Sequence, residues 1–269
     1  MEKTYGIKGS GPEYLDKLEG FVEEIKILGY SLIENVLTEE EVNKASGLLD
    51  QAYVKQSKDF GEERLIAVKE KNLVRCPLAY DDFFLQLCNK PLVIDLIKRL
   101  LGDYFIINQQ NGIINFPGEE HHQSSWHRDL PYQEYITSKP LAIGCLLCID
   151  DFNFTTGSTE ILPYTHLLEK IPSLNYIQKN KVSVTLKKGG AIVFNAMTYH
   201  KAGSNSSDSI RRGLNTLYSI PLLKQQINLF SQLKGKHMDD EWLSKLLGYD
   251  SQVASNVEEW RENRLNKRQ

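Results

Sequence analysis

Leu15, Leu18, Val22 and Ile25 recur at three- and four-residue intervals, as do Val42, Ala45, Leu49 and Ala52. Each segment therefore carries one apolar stripe and predicts an amphipathic helix. Between them the short β-rich run GYSLIENVL predicts a strand, and Thr38 with Glu41 predicts a capping box opening the second helix. Residues 56–75 are charged and weakly patterned, which predicts an exposed loop, and Pro91 then starts a third helix through Leu96, Ile97 and Leu100. The pattern changes at Gly102. From Tyr104 to Tyr218 come the β-rich runs YFIINQQNGIINF, LAIGCLLCI, TEILP, VSVTL, AIVFN and GLNTLYSI, separated by Gly, Pro, Asn and Ser clusters, with no long helix among them. Many short strands in one block predict a mainly β fold, a sandwich or barrel flanked by helices, rather than alternating β-α units. Helical patterning returns after Pro221, at Leu229, Phe230 and Leu233 and again at Trp242, Leu243, Leu246 and Leu247, and the polar end ENRLNKRQ is expected to fray. No repeat or linker interrupts this order. Residues 1–269 thus read as a single domain, with a β core over about 102–220 and mainly helical flanks over 1–101 and 221–269.

Composition narrows the partners. Hydrophobic residues at 41% and charged residues at 25% are the globular norm and supply a sizeable core. A net charge of −3 offers no global attraction to nucleic acid or to anionic lipid. The longest apolar stretch, Ala142 to Ile149, is far too short to cross a bilayer. The first twenty residues lack an apolar block of signal-peptide length, so a cytoplasmic protein with reduced cysteines is expected. Cys145 and Cys148 form a CxxC, but within a buried strand residues three apart point to opposite faces and no second CxxC completes a zinc site. Cys76 and Cys88 read as small buried hydrophobes.

Histidine is scarce and concentrated: His121, His122, His127, His166 and His200 lie in the β-rich block, and only His237 lies outside it. In SSWHRDLPY, His127 and Asp129 are two apart, so on a strand both face the same way. With His200 at the end of KKGGAIVFNAMTYH they make two imidazoles and one carboxylate, the face that leaves open positions on Fe(II) in non-haem oxygenases. A carboxylate co-substrate on that metal needs a fixed cation for its far end, and Arg211, eleven residues after His200, offers a planar guanidinium fork. Arg212 adjoins it, and on a strand only one of the two can point inward.

In order and spacing the chain resembles the phytanoyl-CoA dioxygenase family of Fe(II)/2-oxoglutarate-dependent oxygenases. The resemblance rests on GYSLIENVLTEEEV, KRLLGDYF, WHRD at 126–129, TTGSTEILPYTH at 155–166, KKGGAIVFNAMTYHKAGSNSS at 187–207 and RRGLNTLY at 211–218, together most of residues 28–220. It implies a double-stranded β-helix, Fe(II) held by His127, Asp129 and His200, and 2-oxoglutarate gripped by Arg211, which the family spacing prefers to Arg212. It further implies reaction with O2 and release of succinate and CO2. Gln109, where relatives often place an amide, and Thr159, after the Gly157 turn, are candidate further contacts to 2-oxoglutarate. Where the family often has Pro-Gly-Ser-His this chain has Pro163, Tyr164, Thr165 and His166, and where it often has Gly-Asp this chain has Gly189 and Gly190. Both departures fall in turns, where backbone shape matters more than side-chain chemistry. By the same comparison His166, His121 and His122 are turn or loop residues rather than ligands.

Other readings are weaker. HRDL at 127–130 and DFG at 59–61 spell kinase motifs in the wrong order, with no nucleotide-binding lobe ahead of them. A non-catalytic binding module of the same family would be expected to have lost one of His127, Asp129, His200 and Arg211. A zinc hydrolase could use the same ligand face but has no need of Arg211. An acyl-CoA hydroxylase would want a basic cluster for the coenzyme's phosphates, whereas Arg128, Lys139 and Lys201 are scattered and balanced by Glu119, Glu120 and Glu134. The amides Asn108, Gln109, Gln110 and Asn111, with Tyr132 and Gln133, point instead to a small polar metabolite as substrate.

Overall fold

The computed structural model describes residues 13–119 and 121–266. The first twelve residues, Glu120 and the last three residues lie outside that description. In chain order the elements are α1 (Lys17–Leu28), β1 (Tyr30–Ile33), α2 (Glu39–Phe60), α3 (Glu62–Ala67), β2 (Leu73–Arg75), α4 (Phe83–Cys88), α5 (Pro91–Leu101), β3 (Ile106–Asn115), β4 (Ala142–Cys148) and β5 (Thr159–Ile161). They continue with α6 (Leu174–Asn180), β6 (Val182–Ser183), β7 (Ala191–Asn195), β8 (His200–Ala202), β9 (Arg211–Ser219), α7 (Leu229–Leu233), α8 (Glu241–Leu246) and α9 (Val257–Asn266). Among the described residues no helix is long and apolar enough to cross a membrane.

The expected helices form for the expected reasons. Val22 and Ile25 bury the stripe of α1, although Leu15 precedes the helix and is exposed. The Thr38 hydroxyl accepts from the Glu41 amide while the Glu41 carboxylate accepts from the Thr38 amide, the reciprocal box that starts α2. Residues 56–75 are not the loop their charge suggests. Helix α2 runs on to Phe60, α3 follows, and β2 joins a sheet. The missing apolar signal has a cause in Gln56, which is buried and holds β2 by hydrogen bonds to the Leu73 carbonyl (2.7 Å) and from the Arg75 amide (2.9 Å).

Two antiparallel sheets carry the β block: a six-stranded one in the order β1-β7-β4-β9-β3-β2 and a three-stranded one in the order β6-β5-β8. The larger sheet is covered on both faces, which is why its strands read as near-continuous apolar runs. Ile143, Cys145 and Leu147 of β4 pack with Ile25, Leu49, Phe84 and Ile97 of the helices. Leu146 and Cys148 pack instead with Phe152, Ile161, Leu186 and Phe194 on the side of the small sheet. Cys145 and Cys148 therefore lie on opposite faces, and all four cysteines are free thiols. Toward one end, the inner face of β3 and β9 turns from apolar to polar, and the candidate site begins there.

Candidate metal centre

The segment carrying His127 is not a regular strand as predicted; it makes a single bridge with the start of β8. Reciprocal backbone hydrogen bonds between His127 and His200, both 3.0 Å, and one from the Asp129 amide to the Ala196 carbonyl, 3.0 Å, still impose strand alternation. His127 and Asp129 consequently face the same way, with His200 beside them. Each imidazole donates Nδ1–H to a backbone carbonyl, His127 to Ser125 and His200 to Thr198, both at 2.9 Å. That fixes both ring orientations and turns the Nε2 atoms inward. The two Nε2 atoms stand 4.0 and 3.4 Å from Asp129 Oδ1, and the three ligand atoms lie within 4.8 Å of one another, a spacing that one ion can bridge.

The electrostatics suit a cation. Burial, helped by the neighbouring His200, pushes the His127 imidazole down to about 4, so it is neutral at physiological pH. Burial alone would raise the Asp129 carboxyl, but His200, His127 and Asn215 outweigh it and hold the group below its ordinary value. His200 feels the opposite balance: burial lowers it and the Asp129 charge raises it further, for a net upward shift.

Arg211 opens β9 on the same inner face, with 1% of its surface exposed. Its Nη2 donates to the Gly157 carbonyl at 2.7 Å and its guanidinium lies 4.5 Å over the Phe152 ring. Nε is buried without a hydrogen-bond partner among the described residues, and no carboxylate forms an ion pair with this side chain among them. Burial lowers its pKa to about 10, which still leaves it charged. A buried cation without a counter-ion is costly in a folded protein, so this geometry calls for an anion. Arg212 faces the other way, with Nε and Nη2 on Asp50 (2.8 and 2.9 Å) and Nη1 on Asp150 (3.0 Å), and it ties α2 to the sheet.

A narrow cavity joins these groups, lined by His127, His200, Arg211 and Thr159 together with Asn215, Gln123, Ile113 and Phe194. Thr159 thus lines the same cavity as the two imidazoles and Arg211. Gln109 does not line the cavity; it lies farther along β3, bonded to Asn111 at 3.4 Å. Asn215 and Gln123 escaped the sequence reading. The two-residue alternation from Arg211 through Gly213 marks Asn215, whereas nothing in the local pattern marks Gln123. His166 and His121 are buried away from the triad, their Nε2 atoms on the carbonyls of Lys26 (3.1 Å) and Asn72 (3.3 Å), and His237 faces Asp82. Outside the triad a cleft of about 490 Å³ reaches Asp129 between residues 128–133 and 222–226. Its Arg128 is committed to the carbonyls of Met197, Thr165, Glu169, Gln133 and Leu168.

The chain is similar to known proteins over most of its length. It is 27% identical over 252 residues to the uncharacterized protein Rv1501 of Mycobacterium tuberculosis, spanning 90% of this chain and 91% of that one. Among solved structures it superposes on the non-heme alpha ketoglutarate dependent epimerase SnoN from nogalamycin biosynthesis with a TM-score of 0.59 and 20% identity, covering 76% of this chain and 83% of that one. The non-heme monooxygenase ThoJ gives a TM-score of 0.60 at 18% identity, over 77% of this chain and 80% of that one. At these identities the structural likeness speaks to the fold. The family model for phytanoyl-CoA dioxygenase matches residues 28–213, and the chain therefore belongs to the phytanoyl-CoA dioxygenase family, whose members use Fe(II), 2-oxoglutarate and O2.

Proposed function

We propose that the chain is an Fe(II)- and 2-oxoglutarate-dependent oxygenase that hydroxylates a small polar metabolite, with release of succinate and CO2. The observation that carries this reading is the buried Arg211, with no ion-pair partner among the described residues, in one cavity with His127 and His200, the two imidazoles grouped with Asp129. A zinc hydrolase would not need that cation. On this reading the facing six- and three-stranded sheets are a double-stranded β-helix, with the metal at its polar end.

Bound Fe(II), with 2-oxoglutarate and O2, supplies the oxidising chemistry. The protein's own work is placement. His127 presents a neutral Nε2, His200 turns its Nε2 inward where the ion displaces the proton that Asp129 favours, and Asp129 supplies the charge that retains a divalent ion. Arg211 takes the far carboxylate of 2-oxoglutarate, with the Thr159 hydroxyl beside it. No such role falls to Gln109. The substrate enters by the cleft at Asp129, whose walls combine Leu222, Leu223 and Tyr132 with Asn108, Gln225 and Gln226. With Arg128 occupied, Lys224 is the other cation there, too little charge for the phosphates of coenzyme A.

The test is anaerobic titration of 2-oxoglutarate into the Fe(II)-loaded protein, followed by its charge-transfer absorbance. Arg211→Leu should lose binding by about 2–5 kcal/mol while keeping the metal, because it removes one partner of a buried charge pair. Arg212→Leu should bind normally. Succinate release over a panel of polar metabolites and acyl-CoAs then identifies the substrate. A wild-type chain that binds Fe(II) but not 2-oxoglutarate sinks the proposal, and efficient turnover of an acyl-CoA sinks its substrate class.

A further inference from the structure

Asn215 lies on the inner face of β9, two alternations along from Arg211, and is 6% exposed. Its Nδ2 donates to Asp129 Oδ2 at 3.3 Å, while Oδ1 of the same carboxylate faces the two histidines. The amide orientation follows from the chemistry, since a flipped amide would set its oxygen against a carboxylate oxygen. What remains of the side chain, Oδ1, is buried without a hydrogen-bond partner among the described residues. Neither neighbouring strand supplies one. Asn111, its partner across β3, accepts from Arg75 with its carbonyl and donates to Gln109 with its amide, and its partner across β4 is Leu146. An asparagine kept at this position leaves a buried acceptor unpaired, which costs stability in the metal-free chain. Its one bond goes to a metal-ligand candidate.

Resting on the metal centre proposed above, we infer that Asn215 is a positioning residue: it holds Asp129 Oδ2 away from the ion, so that the carboxylate ligates through Oδ1 alone and a further coordination position stays open to exchangeable ligands. An outer partner of a ligating carboxylate commonly changes metal affinity about 10- to 100-fold when removed.

The test replaces Asn215 with leucine, of similar size and without polar atoms, and measures three quantities. These are the thermal midpoint of the metal-free chain, the Co(II) dissociation constant by calorimetry, and the Co(II) d–d spectrum. A positioning role predicts a metal-free midpoint no lower than wild type, a Co(II) dissociation constant changed roughly tenfold, and a spectrum altered by the freed second carboxylate oxygen. A structural role predicts the reverse: a lowered midpoint with affinity and spectrum unchanged. Either unchanged metal readout in a folded variant overturns the proposal. If Asn215→Leu does not fold, Asn215→Thr is measured by the same criteria. A wild-type chain that binds no Co(II) removes the metal centre and this inference together, whereas equal binding by wild type and Asn215→Leu removes only the inference.

Discussion

Arg211 and Arg212 share their chemistry and are adjacent in sequence, yet strand alternation sends one into a cavity without a counter-ion and the other onto two aspartates. Arg212→Leu should therefore lower stability by roughly 1–2 kcal/mol, as expected for losing a half-buried charged hydrogen-bond cluster, and leave metal binding untouched. A urea titration measures the first quantity and calorimetry the second. The histidines differ in a similar way. His127, at about 4, is already neutral across the physiological range, whereas His200 is raised above the ordinary imidazole value of 6.5. An incoming ion must displace the His200 proton. Co(II) affinity should thus fall as pH drops below His200's raised value, approaching one proton released per ion bound, and level off above it. For the metal-free chain the sign is opposite: the raised His200 contributes stability that is complete below its unfolded value and lost as pH rises through its folded value. Metal affinity flat from pH 6 to 8 would contradict the His200 assignment.

At the scale of elements, the turn before β5 shows how backbone shape serves the site. Gly157 has φ +75°, and a Cβ placed there would come within 2.6–2.7 Å of backbone atoms of Gly203, Ser204 and Asn205. Its carbonyl accepts from Arg211. Gly157→Ala should shift that carbonyl, weaken 2-oxoglutarate binding and lower the melting point, with Fe(II) affinity retained because no metal ligand lies in the turn. Loss of metal and 2-oxoglutarate in equal measure would mean that the turn supports the whole end of the sheet. Elements of this kind were legible in the sequence where a local rule forces them: the capping box at Thr38, proline at the start of α5, and the period-two pair His127 and Asp129. The pair was legible even though its segment is a single bridge, since one reciprocal set of hydrogen bonds is enough to impose alternation. Strand β2 was not legible, because Gln56 holds it by hydrogen bonding, and helix α3 was not, because six residues burying Leu65 alone make no apolar stripe. Asn215 was legible only as an inward-facing residue; its role depends on which carboxylate the facing segment brings to it, and that is a tertiary fact.

For the whole molecule, the two sheets divide the labour. The large sheet is anchored by helices on its outer face, and its inner face, with the small sheet and the bridge at His127, gathers side chains from positions 127, 129, 200 and 211 that are remote along the chain. An ion held as proposed ties these segments together, so its binding should register in global stability. An ion that binds only the folded chain, at one hundred times its dissociation constant, contributes about 2.7 kcal/mol, which in a chain of this size raises the melting point by roughly 5–10 °C. Co(II) added to chelator-stripped protein should produce that rise and excess EDTA should reverse it. His200→Ala, which breaks the tie at its most buried imidazole, should melt at one temperature with or without the ion, while His166→Ala should keep the full shift because His166 bonds the Lys26 carbonyl and faces no ligand. A shift that survives in His200→Ala would place the stabilising ion elsewhere in the fold, and one lost in His166→Ala would make the turn at 165–167 part of the metal centre.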